Sequence, residues 1–274
     1  MNKEIEQDFN LGGSIDQALS GKYQLKVTEV LGEAWKNTIK HFWSFSPAII
    51  ILMAVQVAIF YIALELQLGD AARLLDAIQD PQLFDQSIIQ AIFVANFSYE
   101  VISAPIYAGI SLMAMSHSAG LSTRLGHIGK GLQFTIPVII ATLFSLVLQG
   151  IAGMLVPFLS MYLSLAFSNA ILLICEKRIT PMQSLLLSLR AVNKKLFAIA
   201  GIYLILMLLF VLAAMFYGIG LIIVLPLFFH AKGIIYRNMF GIKLKIVAKD
   251  NHSDDDNDQP PRNHDNNQSQ TFDA

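Results

Sequence analysis

Apolar residues in this chain come in long unbroken runs rather than in the alternation of a half-buried strand or the stripe of a surface helix. The run at 47–66 (PAIIILMAVQVAIFYIALEL) carries one acid, Glu65, near its end. Positions 86–123 carry one charge, Glu100, and the 45 residues 131–175 carry none. Twenty residues at 1.5 Å each cross a hydrocarbon core of about 30 Å. The 45-residue run as one helix would be about 68 Å long, too long for a single crossing. It suits two helices joined by a turn at Gly153 and Pro157, with Gly150 beside it, since Pro fits the first turn of a following helix. The pattern predicts six transmembrane helices arranged as three hairpins, at about 47–66, 91–116, 134–155, 157–175, 196–216 and 221–240. The expected fold class is all-α integral membrane.

Charge placement adds a direction to this threading, because cytoplasmic loops carry the Lys/Arg excess. From the N-terminus onward, the successive connecting segments hold five, one, two, no, five, no and six basic residues. The alternation places both the N-terminus and the C-terminus in the cytoplasm and the hairpin turn near 156 on the far side. The outer segment 67–90 has Arg73 beside Asp70, Asp76, Asp80 and Asp85. Within it, Ala71, Leu74, Leu75 and Ile78 predict a short amphipathic helix ending before Pro81. The first 25 residues lack the apolar core of a secretory signal peptide, so insertion is expected to rest on internal segments.

Composition agrees: 55% of residues are hydrophobic and 14% charged, where a soluble domain has about 25% charged. A net charge of −1 gives no general attraction to nucleic acid, and the expected surroundings are a lipid bilayer, with a membrane-protein partner or a second copy of the chain compatible with them. One cysteine, Cys175, excludes an internal disulfide framework.

Two segments have a helical apolar stripe outside the spans. Val27, Val30, Leu31, Ala34, Thr38 and Phe42 recur at helical spacing, and Trp35 and Trp43 fall here as interfacial anchors. Thr180-Pro181 is expected to cap a similar helix, with Leu185, Leu186, Leu189 and Val192 on one side. Both are read as cytoplasmic interfacial helices anchoring the bundle. The organisation expected is therefore 1–25 as a cytoplasmic N-terminal segment, 26–245 as the six-helix domain, and 246–274 as a disordered acidic cytoplasmic tail. His252, His264 and the Asp run of that tail lack the Gly and closing Glu of a calcium loop. The spacing of 15 from Pro105 to Gly120 and from Pro226 to Gly241 hints at a degenerate repeat of hairpins, as in many transporters.

Ionisable side chains inside a membrane are costly, so each is a candidate for function. Glu100 leads, as a proton or cation site if it lies deep, and an ordinary interfacial acid if it does not. Lys232 is about 12 Å of helix rise from Phe240, within reach of cytoplasmic headgroups by snorkelling, at a different depth from Glu100 and not expected to pair with it. Asn96 and Gln149 complete the candidate polar site, while Gln56, Asn169 and His230 are read as hydrogen-bonding partners between helices. The segment GHIGKG (126–131) lacks the spacing and Ser/Thr of a phosphate loop and is read as a flexible cytoplasmic loop. No catalytic, cofactor-binding or metal-ligating motif is found, and no cofactor is expected.

The order of elements resembles a family. A basic amphipathic lead-in (VTEVLGEAWKNTIKHFW), a long first outer loop, a Pro-marked second span, the hairpin GMLVPFLSMYL and the segment EKRITPMQSLLLSLRAVNKKLF before the last pair are similar to the uncharacterised bacterial inner-membrane proteins of the YciC type. They are also similar to the related membrane domain fused to some glycerophosphodiester phosphodiesterases. The resemblance covers most of residues 26–245 and implies a bacterial inner membrane and six helices. It brings no catalytic residues, because the phosphodiesterase chemistry resides in a separate soluble domain, and the mid-chain turn has Pro157-Phe158 where family members often have Pro-Gly. The function expected is that of a non-enzymatic scaffold or envelope-maintenance factor. The alternative is a small-molecule or ion transporter or channel subunit with Glu100 as coupling site.

Overall fold

A computed structural model describes residues 5–216, 218–248 and 270–271. Strand β1 (Ile5–Leu11) and helix α1 (Ile15–Ser20) lead into α2 (Val27–Lys40), which is followed by the first span, α3 (Phe42–Leu68). The segment after it holds α4 (Ala72–Gln79) and a 3-10 turn, and α5 (Gln86–Ser118) returns. A 3-10 turn at Leu125–Ile128 and α6 (Gly129–Leu132) precede α7 (Thr135–Leu155), α8 (Pro157–Ala166) and α9 (Ala170–Lys177). Then come α10 (Pro181–Lys194), α11 (Leu196–Met215), α12 (Leu221–Phe240), β2 (Ile242–Ala248) and β3 (Gln270–Thr271).

The chain is an all-α multi-pass membrane bundle, with six stretches among the described residues long and apolar enough to cross a membrane. Successive spans pack as hairpins, α3 on α5, α7 on α8 and α11 on α12. Helices α5 and α12 lie at the centre, and α12 is the most buried of the six. Large side chains on the outer faces, such as Trp43, Leu66, Phe158 and Phe197, are left exposed, as lipid-facing positions should be.

Several boundaries depart from the sequence reading. Helix α5 begins at Gln86 because the Asp85 side chain caps it, accepting from the Ile88 N–H at 3.0 Å. Gly153 lies inside α7 and is not part of the turn; the reversal is made by Val156, in extended backbone, and by Pro157 at the first position of α8. What Gly153 provides is room for Ser160 of α8. The fourth span is not continuous but breaks at 167–169, between α8 and α9. The amphipathic helix expected here exists as α4, but it buries Ala77, with Ala71 just before it, while Leu75 and Ile78 are exposed.

The two amphipathic helices are built into the bundle rather than laid on it. α2 packs along α12 and α11 through Val30, Ala34 and Thr38, leaving Trp35 and Trp43 exposed. α10 buries Ser184, Leu185, Ser188, Ala191 and Val192, while Leu186 is exposed. Thr180 stands before its first residue but makes no capping hydrogen bond. The loop expected to be flexible at 126–131 is two helical turns wedged against α5, where an added Cβ at Gly131 would collide with the Pro105 carbonyl and the Gly109 backbone. Gly120 and Gly241 both take positive φ just past α5 and α12, where only glycine is comfortable.

The ends of the chain meet. β1 pairs antiparallel with β2 from Ile5 opposite Ala248 to Leu11 opposite Ile242, and β3 adds to β2. This small sheet was not expected from the sequence, and its central strand continues past 245 into the segment read as tail. The rest of that tail reading, with His252 and His264, falls outside the described residues.

Helices α12 and α5 come close at Gly233, where an added Cβ would lie 2.9 Å from the Ala114 carbonyl carbon and oxygen of α5. Gly32 of α2 has nothing within 4 Å of such an atom. Gly233→Ala should therefore destabilise the protein by about 1–3 kcal/mol through overpacking, whereas Gly32→Ala should be neutral or stabilising by up to about 1 kcal/mol. Thermal unfolding in detergent should show opposite shifts; equal behaviour of the two would contradict the close contact of α5 and α12.

Candidate functional site

Side chains spaced three or four apart on a helix share a face. On α5 that face carries Tyr99, Glu100, Ser103 and Tyr107; on α7 it carries Thr142, Ser145 and Gln149. With Gln56 of α3, Ser164 of α8, Ser168 in the break and Lys232 of α12, they line a cavity of about 340 Å³. Gln56 Nε2 donates to Ser103 Oγ (3.2 Å), which donates to the Tyr99 carbonyl (2.6 Å). Gln149 Nε2 donates to Ser145 Oγ (2.7 Å), and the buried Thr142 hydroxyl has no partner among the described residues.

Three of the four polar candidates from the sequence, Glu100, Gln149 and Lys232, therefore meet in one cavity. Asn96 does not line it; its amide donates back to the Ile92 carbonyl one turn earlier, at 3.0 Å. Lys232 does not snorkel. It is 3% exposed, its Nζ donates to Tyr107 Oη at 2.9 Å, and it lies 4.4 Å from the centre of that ring. The reason is rotational: Lys232 faces α5 in the middle of a buried helix, so its stem has no apolar outer surface to follow. Glu100 and Lys232 share the cavity although their helices place them at different heights. Among the described residues no ion pair joins them, and the Glu100 carboxylate has no hydrogen-bond partner.

The break between α8 and α9 forms part of the same wall, through Phe167, Ser168 and Ala170. A broken helix at membrane depth leaves backbone groups that neighbouring protein must satisfy. Ser188 of α10 does so from both sides, accepting from the Asn169 N–H at 3.3 Å and donating to the Ala166 carbonyl at 2.6 Å. This explains why α10 is drawn into the bundle instead of resting on its surface.

Next to the cavity, a chain of buried polar groups crosses the bundle. Thr123 Oγ1 contacts His117 Nε2 (2.8 Å), His117 Nδ1 contacts His230 Nε2 (2.9 Å), and His230 Nδ1 contacts Thr38 Oγ1 (3.0 Å). The Thr38 hydroxyl donates its proton to the Ala34 carbonyl at 2.8 Å, so it accepts from His230. With both rings neutral the direction then propagates: His117 Nδ1–H donates to His230, and the Thr123 hydroxyl donates to His117. His41 stacks on His117 at 3.9 Å and 7° between planes, and its Nε2 is buried without a partner. Only His230 figured in the sequence reading. His41 and His117 were missed because no local spacing connects them; 113 residues separate His117 from His230. Among the described residues no group of three or more His, Cys, Asp or Glu side chains is arranged to hold a metal ion. Cys175 is buried in the apolar core.

Comparison with known proteins brings no match, whether to a family model, a curated protein or a solved structure.

His41, just outside the first span, is held below the ordinary imidazole value by burial, and secondarily by the neighbouring Lys40 charge. As pH falls through about 6.5, the unfolded chain takes up a proton there that the folded chain refuses. The stability owed to neutral His41 is thus complete above that pH and is lost as pH drops toward the lowered folded value. His41→Phe keeps a flat ring on His117 and removes the titrating nitrogens. The unfolding midpoint in detergent should fall between pH 7 and about 5.5 in the wild type and fall less in His41→Phe, with His117 and His230 present in both. Parallel pH profiles would show that His41 does not titrate on unfolding.

Proposed function

We propose that the protein is a non-enzymatic membrane carrier that binds a polar ligand in the cavity between α3, α5, α7, α8, α9 and α12, with Lys232 and Glu100 as its charged determinants. The observation that carries this reading is the convergence of Glu100, Lys232, Gln149 and Gln56 from four spans on one cavity. Polar groups that served only to hold helices together would be spent in pairs between neighbours. Among the described residues Glu100 and Thr142 have no hydrogen-bond partner, and they line a shared space of a size typical of ligand sites, about 300–1,000 Å³. A discontinuous helix beside a binding site is a recurrent feature of transporters, which adds support.

The same reading sets the carrier in a bacterial inner membrane, as the resemblance to YciC-type proteins implies, with both termini cytoplasmic. Support for the common side comes from the β1–β2 pairing and from the alternation of basic loops. Gln56, Gln149 and Lys232 turn toward the cavity rather than the outer surface, which favours a carrier over a scaffold.

Native mass spectrometry of protein extracted with its surrounding lipid tests the proposal. A small molecule should stay bound to the wild type and be lost from both Lys232→Gln and Glu100→Gln, with helix content and monodispersity unchanged. A stoichiometric second protein retained equally by all three, with no small molecule lost, would favour the scaffold and sink the carrier.

A further inference from the structure

The polar cavity has a neighbour. A second space of about 680 Å³ lies between α8, α11 and α12 and shares Tyr107, Gln149, Ser164, Ser168 and Lys232 with the first. Beyond that shared wall its lining turns apolar, with Leu165, Leu206, Met207, Phe210, Leu225 and Phe228. It exists because α8 packs on α7 and α10 while α11 packs on α12 and α2, leaving a gap between the two outer helices. Its rim reaches the outer surface of the bundle: Met161, Met207 and Phe210 are 57%, 53% and 44% exposed. A chamber with one polar end deep in the bundle and one apolar end open sideways has the shape of an amphiphile entering from the bilayer.

The charges narrow the headgroup. Lys232 stands at the junction of the two spaces, and Glu100, itself exposed, lines the polar one alone. The two do not pair with each other, so each keeps the capacity to meet an opposite charge on a ligand. A purely anionic headgroup would satisfy Lys232 and be repelled by Glu100; a zwitterion satisfies both. We propose that the two cavities together hold one zwitterionic phospholipid of the phosphoethanolamine type, its phosphate at Lys232 and Tyr107, its ammonium toward Glu100, and an acyl chain between α8, α11 and α12. This rests on the carrier reading above and names the ligand class for the same site.

The test uses the full chain in dodecyl maltoside micelles and the fluorescence anisotropy of an acyl-labelled phosphatidylethanolamine. Unlabelled phosphatidylethanolamine should displace the probe at about tenfold lower mole fraction than phosphatidylglycerol, the effect of one satisfied charge. Lys232→Gln should weaken both lipids, and Glu100→Gln should abolish the preference by letting phosphatidylglycerol compete. Met207→Trp fills the apolar chamber from its exposed rim and so spares the core. It should weaken the lipid about tenfold and leave binding of water-soluble glycerophosphoethanolamine, followed by calorimetry, unchanged. Equal competition by the two lipids in the wild type overturns the headgroup assignment. Glycerophosphoethanolamine binding as tightly as the lipid, or a Met207→Trp chain that binds lipid normally, overturns the acyl-chain assignment. If none of these probes binds while the native ligand is still lost from Lys232→Gln and Glu100→Gln, the phospholipid inference fails and the carrier reading stands.

Discussion

The contact of α5 with α12 is the interaction on which the other features of this bundle depend. Gly233 lets the two backbones approach until only a hydrogen fits between them, and small residues at such a crossing are what a membrane interface uses in place of a hydrophobic driving force. With the axes held that close, side chains within about one turn of Gly233 meet their partners without stretching. His230 reaches His117, Lys232 reaches Tyr107, Phe229 packs on Tyr107, and Arg237 donates to the Ser118 carbonyl while holding Glu33 of α2 with both of its terminal nitrogens. The histidine chain and the charged wall of the cavity are thus two consequences of one crossing, on either side of the same glycine.

A second constraint shapes the other half of the molecule. Backbone groups in hydrocarbon cannot turn to water, so a break in a span demands a donor and an acceptor from elsewhere in the protein. Ser188 supplies both from α10, which ties that amphipathic helix to the middle of the fourth span. Further along, Glu176 at the end of α9 accepts from Tyr236 Oη and from the Lys243 N–H, joining the end of that span to α12 and to β2. The strand pairing of β1 with β2 then closes the chain on itself. On the outer side of α8 and α11 a gap remains between the helices, and that is where the apolar chamber opens.

The spans were legible in the sequence because hydrocarbon thickness is a length requirement, and a run of about twenty apolar residues answers it without reference to the rest of the fold. The inward polar site was legible only as a set of names. Glu100, Gln149 and Lys232 stand out singly because charge and amide are rare in such runs, but their common cavity depends on how each helix is rotated about its axis, which hydropathy does not encode. Lys232 shows the limit plainly: its distance from the helix end suits snorkelling, and its rotation toward α5 forbids it. The break at 167–169 was hidden for a related reason. Phe167, Ser168 and Asn169 are tolerable in a helix, and the partner that makes a break affordable, Ser188, lies 22 residues beyond Ala166. The β1–β2 sheet joins segments from opposite ends of the chain, too distant for any local pattern to connect.

That Glu100 and Lys232 line one cavity without pairing with each other is the most informative energetic fact about it. An ionised side chain at the middle of a span costs about 2.5–3.5 kcal/mol even by the lenient scale of membrane insertion. A bundle selected for stability alone would bring two such opposite charges into contact, because in a low-dielectric space their attraction grows as the surrounding polarity falls. This bundle holds them in one cavity and apart, with Tyr107 engaging Lys232 and nothing engaging the Glu100 carboxylate among the described residues. Such separation leaves interaction energy available to a ligand that carries both charges. The apolar chamber adjoining Lys232 continues the same logic, since acyl contacts beside a fixed charge favour a molecule that presents both to the site over one that presents either alone.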